Sequence, residues 1–197
     1  MPAVFVHGVP DTHHVWDNVR DHLTHTDVLA LALPGFGSPV PQGFTATKEG
    51  YVEWIIARLE DIGSPVDLVG HDRGCALTAR AASLRPDLVR TWAGGDASIS
   101  GAVEWHDLGK IWQTPDVGEQ WMAPLPRVLG HRRPVRAGGA CRPSRKERQG
   151  QELVRLDSGH WRPVQRPREL ADALTRRWES VRAQPSPREQ VCRPQPT

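Results

Sequence analysis

Val66-Asp67-Leu68-Val69-Gly70-His71-Asp72-Arg73-Gly74-Cys75 is the stretch on which the fold turns. Val66 to Val69 is a short, mostly apolar run of the kind a buried strand uses, and Cys75 to Leu84 reads as a helix. Between them Gly70 and Gly74 bracket His71-Asp72-Arg73. A side chain presented at a tight strand-to-helix turn needs glycine on both sides, because neighbouring side chains would clash there. Such a bend lifts Asp72 above the C-terminal edge of a sheet and aims a helix N-terminus at its carboxylate, which favours the ionised form. An ordinary turn with an Asp helix cap would look the same in isolation, so the flanking sequence has to decide.

Working outward, Val4-Phe5-Val6 is an apolar run that ends in the loop His7-Gly8-Val9-Pro10. Trp16, Val19 and Leu23 recur at helical spacing. Val28 to Leu33 is a second buried strand, closed by Pro34-Gly35-Phe36-Gly37. Thr47 can cap a helix running to about Ile62, with Tyr51, Trp54, Ile55, Leu59 and Ile62 on its apolar face. Leu88 to Ala93 reads as a fourth strand, after the one ending at Val69. Strand and helix alternate, which predicts an α/β fold with a mostly parallel sheet and flanking helices. Further on, Glu104 to Met122 is rich in tryptophan and reads as helical. Residues 123–150 carry seven Arg and one Lys against a single Glu, with no apolar period. Glu152 to Leu156 reads as a last strand, and a helix follows from Pro167 to about Val181.

With 197 residues, 38% of them apolar and 24% charged, the composition is that of a soluble globular chain with a real core. A formal net charge of +2 is too small to point to nucleic acid. No run approaches the roughly 18 apolar residues a membrane span needs. The N-terminus has no basic segment before its apolar run, so the expected location is the cytoplasm. Cys75, Cys141 and Cys192 are too irregularly spaced for a disulfide framework or a zinc site. His13 and His14 point apart at a helix start and find no third ligand, so no metal is expected.

Four motifs now stand in order: His7-Gly8-Val9-Pro10, Leu33-Pro34-Gly35-Phe36-Gly37, Gly70-His71-Asp72-Arg73-Gly74 and Ser158-Gly159-His160-Trp161, each placed after a predicted strand. Together they resemble the α/β-hydrolase superfamily, and specifically its aspartate-nucleophile branch, which contains haloalkane dehalogenases, fluoroacetate dehalogenases and epoxide hydrolases. The resemblance covers residues 2–122 and 152–181. It implies that Asp72 forms an alkyl ester and that His160 activates the water that cleaves it. Backbone N–H groups of Val9 and Arg73 would hold the oxyanion. It also implies a carboxylate that orients His160. In part of the family this follows the strand after the nucleophile helix, which makes Asp96 the candidate; elsewhere it follows a later strand not found in this sequence. His7 is expected to brace the oxyanion loop and Asp157 to serve a turn.

Leaving-group contacts in this branch come from a cap, and Trp105, His106 and Trp112, with Trp121 beyond them, are the candidates here; plain cap packing is the competing account. The only tyrosine, Tyr51, precedes the nucleophile strand, which disfavours epoxide opening. Arg73 directly after the nucleophile resembles the fluoroacetate dehalogenases, whose second arginine is replaced by Ala76. A small-molecule substrate, no cofactor and no nucleic-acid or membrane partner are implied. Four parts are expected: residues 1–100 as the first part of the core, 101–150 as a cap remnant with the irregular segment, 151–183 as the closing strand and helix, and 184–197 as a disordered tail. Relative to the family pattern, the first strands and much of the cap are lacking. A truncated, inactive relative, a pseudoenzyme or partner-binding remnant, is therefore the alternative to a working hydrolase. If the Glu152–Leu156 strand closed up by one position, His160 would shift by about 4.8 Å and lose Asp72.

Overall fold

The computed structural model describes residues 1–25, 27–97, 116 and 153–183. Its centre is a parallel sheet of four strands: β1 (Ala3–Val6), β2 (Val28–Leu31), β3 (Val66–His71) and β4 (Val89–Gly95), in the order β2-β1-β3-β4. All four residues of β1 and all six of β3 are buried. Strands covered on both faces read as near-continuous apolar runs, which is why these two stood out in the sequence. The charged exception is Asp67, fully buried on β3. It is compensated from β4, where the Arg90 guanidinium pairs with it and Thr91 Oγ1 donates to its carboxylate at 2.6 Å.

Helices cover both faces. A 3₁₀ turn at His13–Trp16 leads into α1 (Asp17–Arg20); α2 is Lys48–Ile62, α3 Arg73–Leu84, α4 Arg162–Gln165 and α5 Pro167–Arg182. Alternation along β1 divides the core in two. Val4 and Val6 pack with Leu68, Ile55 and Leu59 of α2, and Leu77 and Ala81 of α3. Ala3 and Phe5 face the other way, against Trp16, Val19, Val69, and Ala171, Leu174 and Trp178 of α5. Trp16 and Trp178 both meet the Phe5 ring, with centroids 5.0 and 6.4 Å away.

The predicted elements are mostly where expected. Thr47 caps α2, its Oγ1 accepting from the Gly50 N–H at 3.1 Å. The Trp16–Leu23 helix is shorter than its period implies, although Trp16 and Val19 are buried as the pattern requires. One expectation fails: residues 153–156 of the predicted Glu152–Leu156 strand are not in a strand. Leu153 and Val154 are 59% and 43% exposed, so the two apolar residues that gave the run its strand character are not drawn into the core. Among the described residues they meet no partner strand, and a strand without a ladder has nothing to hold it.

Candidate active site

Asp72 stands where β3 gives way to α3, with φ 51° and ψ −126°. A non-glycine residue at positive φ costs on the order of 1–3 kcal/mol, so the surroundings must enforce it. They do. The Asp72 N–H donates to Gly95 O at 3.0 Å, and its carbonyl accepts the Cys75 N–H at 2.9 Å as α3 begins. A Cβ on Gly70 would sit 2.3 Å from Thr78 Oγ1, and one on Gly74 2.4 Å from His7 O. Gly8, on the loop after β1, is as constrained, because a Cβ there would lie 2.3 Å from Asp72 Cβ. Glycine spacing in the sequence thus reports close approach of three chain segments around one carboxylate.

The two oxygens of that carboxylate face different partners. Oδ1 accepts the Val9 N–H at 2.9 Å, and Oδ2 lies 3.4 Å from His160 Nε2. Burial alone would push the Asp72 carboxyl up; His160 and the Val9 and Arg73 N–H groups outweigh it and hold the group below its ordinary value. His160 is subject to the opposite contest. Burial favours its neutral form, but Asp72, Asp96 and Asp11 together raise it above the ordinary histidine value. The pair is therefore a carboxylate and an imidazole that each favour the other's charged form.

His7 is fully buried and braces the loop carrying Val9. Its Nδ1–H donates to Gly8 O at 2.8 Å and its Nε2 accepts the Leu33 N–H at 3.1 Å, which ties the loops after β1 and β2 together. Burial, the leading cause, lowers it to about 4, so it stays neutral.

No strand carries His160, so its position depends on side chains. His71 Nε2–H donates to His160 O at 2.8 Å. Trp161 Nε1–H donates to Asp11 Oδ2 at 3.0 Å. Arg162 Nη1 meets Asp96 Oδ1 at 3.0 Å. Within the loop, the Gly159 N–H donates to Gln165 Oε1 at 2.6 Å, and Arg166 Nε to Asp157 O at 2.9 Å.

Asp72, His160 and the Val9 N–H are thus brought together. Arg73 contributes its N–H, while its side chain is exposed. Asp96 lies close by at φ 61° but engages Arg162, with its Oδ2 3.6 Å from His71 Nε2. Among the described residues no carboxylate hydrogen-bonds His160 Nδ1, so the expected Asp96–His160 bond is not made. Arg162, two residues past His160, takes the carboxylate instead. Burial, ahead of the opposing pull of Arg162, raises Asp96 to about 6. Trp105, His106, Trp112 and Trp121 lie outside the described residues. Tyr51 lies on α2 and packs against the core, as expected. It lines a narrow crevice of about 10 Å³ with Val9, Leu33, Phe36, Arg73 and Leu77, and its hydroxyl donates to Pro34 O at 2.9 Å. Sequence reasoning missed Asp11, His71 and Arg162 as site residues. His71 lies inside a quoted motif, and Asp11 and Arg162 each follow one directly, but place alone gave no role.

Among the described residues no three His, Cys, Asp or Glu side chains cluster as a metal site, and no helix is long and apolar enough to cross a membrane. The arrangement can present a partly buried carboxylate to an electrophile, offer N–H donors to one of its oxygens, and remove a proton beside the other.

Comparison with known proteins gives the same fold. Over 94 residues the chain is 31% identical to the (E)-2-((N-methylformamido)methylene)succinate hydrolase of Acinetobacter baylyi, covering 47% of this chain and 36% of that one. Over 85 residues it is 33% identical to lipase LipV of Mycobacterium tuberculosis, covering 43% and 32%. The chain thus spans about a third of the length of the curated relatives it matches. The crystal structure of the ancestral haloalkane dehalogenase AncHLD2 superposes with a TM-score of 0.54 at 25% identity, covering 92% of this chain and 69% of that one. The family pattern described as "Alpha/beta hydrolase family" matches residues 3–188, and the chain, with its parallel sheet and flanking helices, belongs to that family.

Proposed function

We propose that the chain is a hydrolase of the dehalogenase-like kind, acting on a small organic substrate through an ester on Asp72. The observation that carries this reading is the division of the Asp72 oxygens, Oδ1 on the Val9 N–H and Oδ2 beside His160. Oδ2 attacks an electrophilic carbon and expels its leaving group, a halide in the favoured case, to give the alkyl ester. His160 Nε2 then takes a proton from water, whose oxygen adds to Asp72 Cγ. Negative charge collects on Oδ1, where the Val9 and Arg73 N–H groups face it. Collapse frees the alcohol, which takes the proton from His160; the Asp72 carboxyl, now holding one oxygen from water, loses its remaining proton to solvent and is a carboxylate again. The likeness to AncHLD2 supports the same branch. Exposed Arg73, beside the nucleophile, suits a substrate that carries a carboxylate.

The second reading is an inactive relative, and one observation favours it. Asp96 pairs with Arg162, so among the described residues His160 has no orienting carboxylate. Offering the chain bromoacetate, 1-bromobutane, styrene oxide and p-nitrophenyl acetate separates the two. The hydrolase reading expects turnover of at least one, reduced at least about 10⁴-fold by Asp72→Asn. His160→Gln should accumulate an adduct on Asp72, visible as added mass. Turnover that survives Asp72→Asn overturns the nucleophile; no turnover and no adduct with any of the four overturns the enzyme.

A further inference from the structure

The His160 imidazole has two rings beside it. The His71 ring lies with its centroid 5.0 Å away, and the Trp161 ring stands edge-on at 5.2 Å and 89°. The His71 ring is immobilised by its place in β3 and by its bond to His160 O. The Trp161 ring belongs to a segment outside the sheet, and Asp11 is what secures its polar edge, with both carboxylate oxygens on the indole N–H at 3.0 and 3.3 Å.

Asp11 is a poor choice for stability alone. It is 8% exposed, and a buried carboxylate costs several kcal/mol unless its oxygens are well satisfied. A carboxylate offers about four acceptor positions, and here both oxygens share one N–H of the indole. Burial and, more weakly, the Asp72 charge push its carboxyl up to about 6, against the pull of Trp161 and His160. An apolar residue would fill this position at lower cost, so the reason for a carboxylate is sought in what it does to its neighbours.

We propose that Asp11 is a positioning residue: by gripping the Trp161 indole N–H it fixes the wall against which the His160 imidazole stands, and so keeps Nε2 turned to Asp72. This rests on the reading of Asp72 and His160 as a working pair, and it extends that pair's support to a loop 150 residues away in sequence.

The test needs no substrate. Imidazole nitrogen and ring-proton resonances of the full chain, with the His160 signal assigned through His160→Gln, report both its titration and its contact with Trp161 as a cross-relaxation peak. Asp11→Leu should weaken that peak and, like Trp161→Phe, move the His160 titration down toward the ordinary histidine value, as Nε2 drifts from Asp72. Asp11→Asn keeps an acceptor for the indole and should restore the peak, which a role in packing or charge alone would not require. Trp161→Phe keeps an aromatic ring but not the N–H, and it leaves the Asp11 charge in place, so its titration carries the test if Asp11→Leu does not fold. An unchanged His160 titration in folded Trp161→Phe, or an unchanged peak in folded Asp11→Leu, would overturn the proposal. Asp72→Asn reports separately: a His160 titration that ignores it defeats the Asp72–His160 pairing, while the contact peak still decides the role of Asp11.

Discussion

The two regions that meet at the site, residues 3–97 and 153–183, hold their reactive groups by different means. In the first, backbone does it. Asp72 is fixed by its N–H bond to Gly95, by the parallel ladder of β1, β3 and β4, and by glycines at 8, 70 and 74 that admit no side chain. In the second, α5 docks its apolar face on the sheet, and His160 is then secured by side chains of His71, Asp11 and Asp96 acting on residues 160, 161 and 162. Backbone positioning is rigid and cooperative with the whole sheet. Side-chain positioning can be undone one contact at a time.

The largest expected effect follows from how the second region is attached. Trp178 is 2% exposed and packs on Phe5, on the face of the sheet that α5 covers. Trp178→Ala removes that contact and should cost about 3–5 kcal/mol. Amide exchange should then rise more in α5 than in α3. An equal rise in both helices would mean that the two regions unfold as one unit. Next is Gly8→Ala, aimed at the first region. The new Cβ overlaps Asp72 Cβ, and because both partners are tied to the sheet, relief requires backbone movement. A loss of about 2–3 kcal/mol in a urea melt is expected, together with loss of any turnover. A variant as stable and active as the parent would mean that the loop after β1 gives way easily.

Those different means also decide what could be read in advance. The strands β1 and β3 announce themselves as apolar runs, and the glycines around Asp72 as a spacing, because backbone constraints leave local marks. Thr47 and the period of α2 are equally local. His71, Asp11 and Arg162 act over 89, 150 and 66 residues of chain, and nothing in their own neighbourhoods encodes a partner so distant. The place after β4 singles out Asp96, with His160 as its expected partner. Arg162 takes that carboxylate instead, and only folding brings it there. The Leu153-Val154 run misled for the converse reason: its local pattern suits a strand, but pairing is a property of neighbours.

The Arg162–Asp96 tie sharpens this contrast at smaller scale. Arg162→Met leaves a carboxylate that is 8% exposed without its cation and should cost about 1–2 kcal/mol, reduced from the value for a fully buried pair because Arg162 is 30% exposed. Asp96→Asn removes the charge as well, so the double variant should be more stable than the sum of the two losses implies. Strict additivity in thermal melts would show that the contact does not couple the regions.

The smallest effect is the pH dependence of the Asp72–His160 contact, where stability and activity should run in opposite directions. His160 is raised above its ordinary value of about 6.5, so the charged pair contributes fully below that unfolded value. The contribution is lost as pH rises through the higher folded value. At 25% exposure for each side chain it should amount to less than about 1 kcal/mol, visible as the difference in melting temperature between the parent and His160→Gln across pH 5–9. Ester hydrolysis needs the neutral imidazole, so turnover should rise with pH over the same interval in which this stabilisation fades. His71 titrates far lower, at about 4 through burial, and its bond to His160 O persists across that interval. His71→Gln keeps an N–H donor at a similar reach and should leave the acid limb of turnover unmoved. A limb that shifts in His71→Gln would make His71, and not Asp72, the group that sets the protonation of His160.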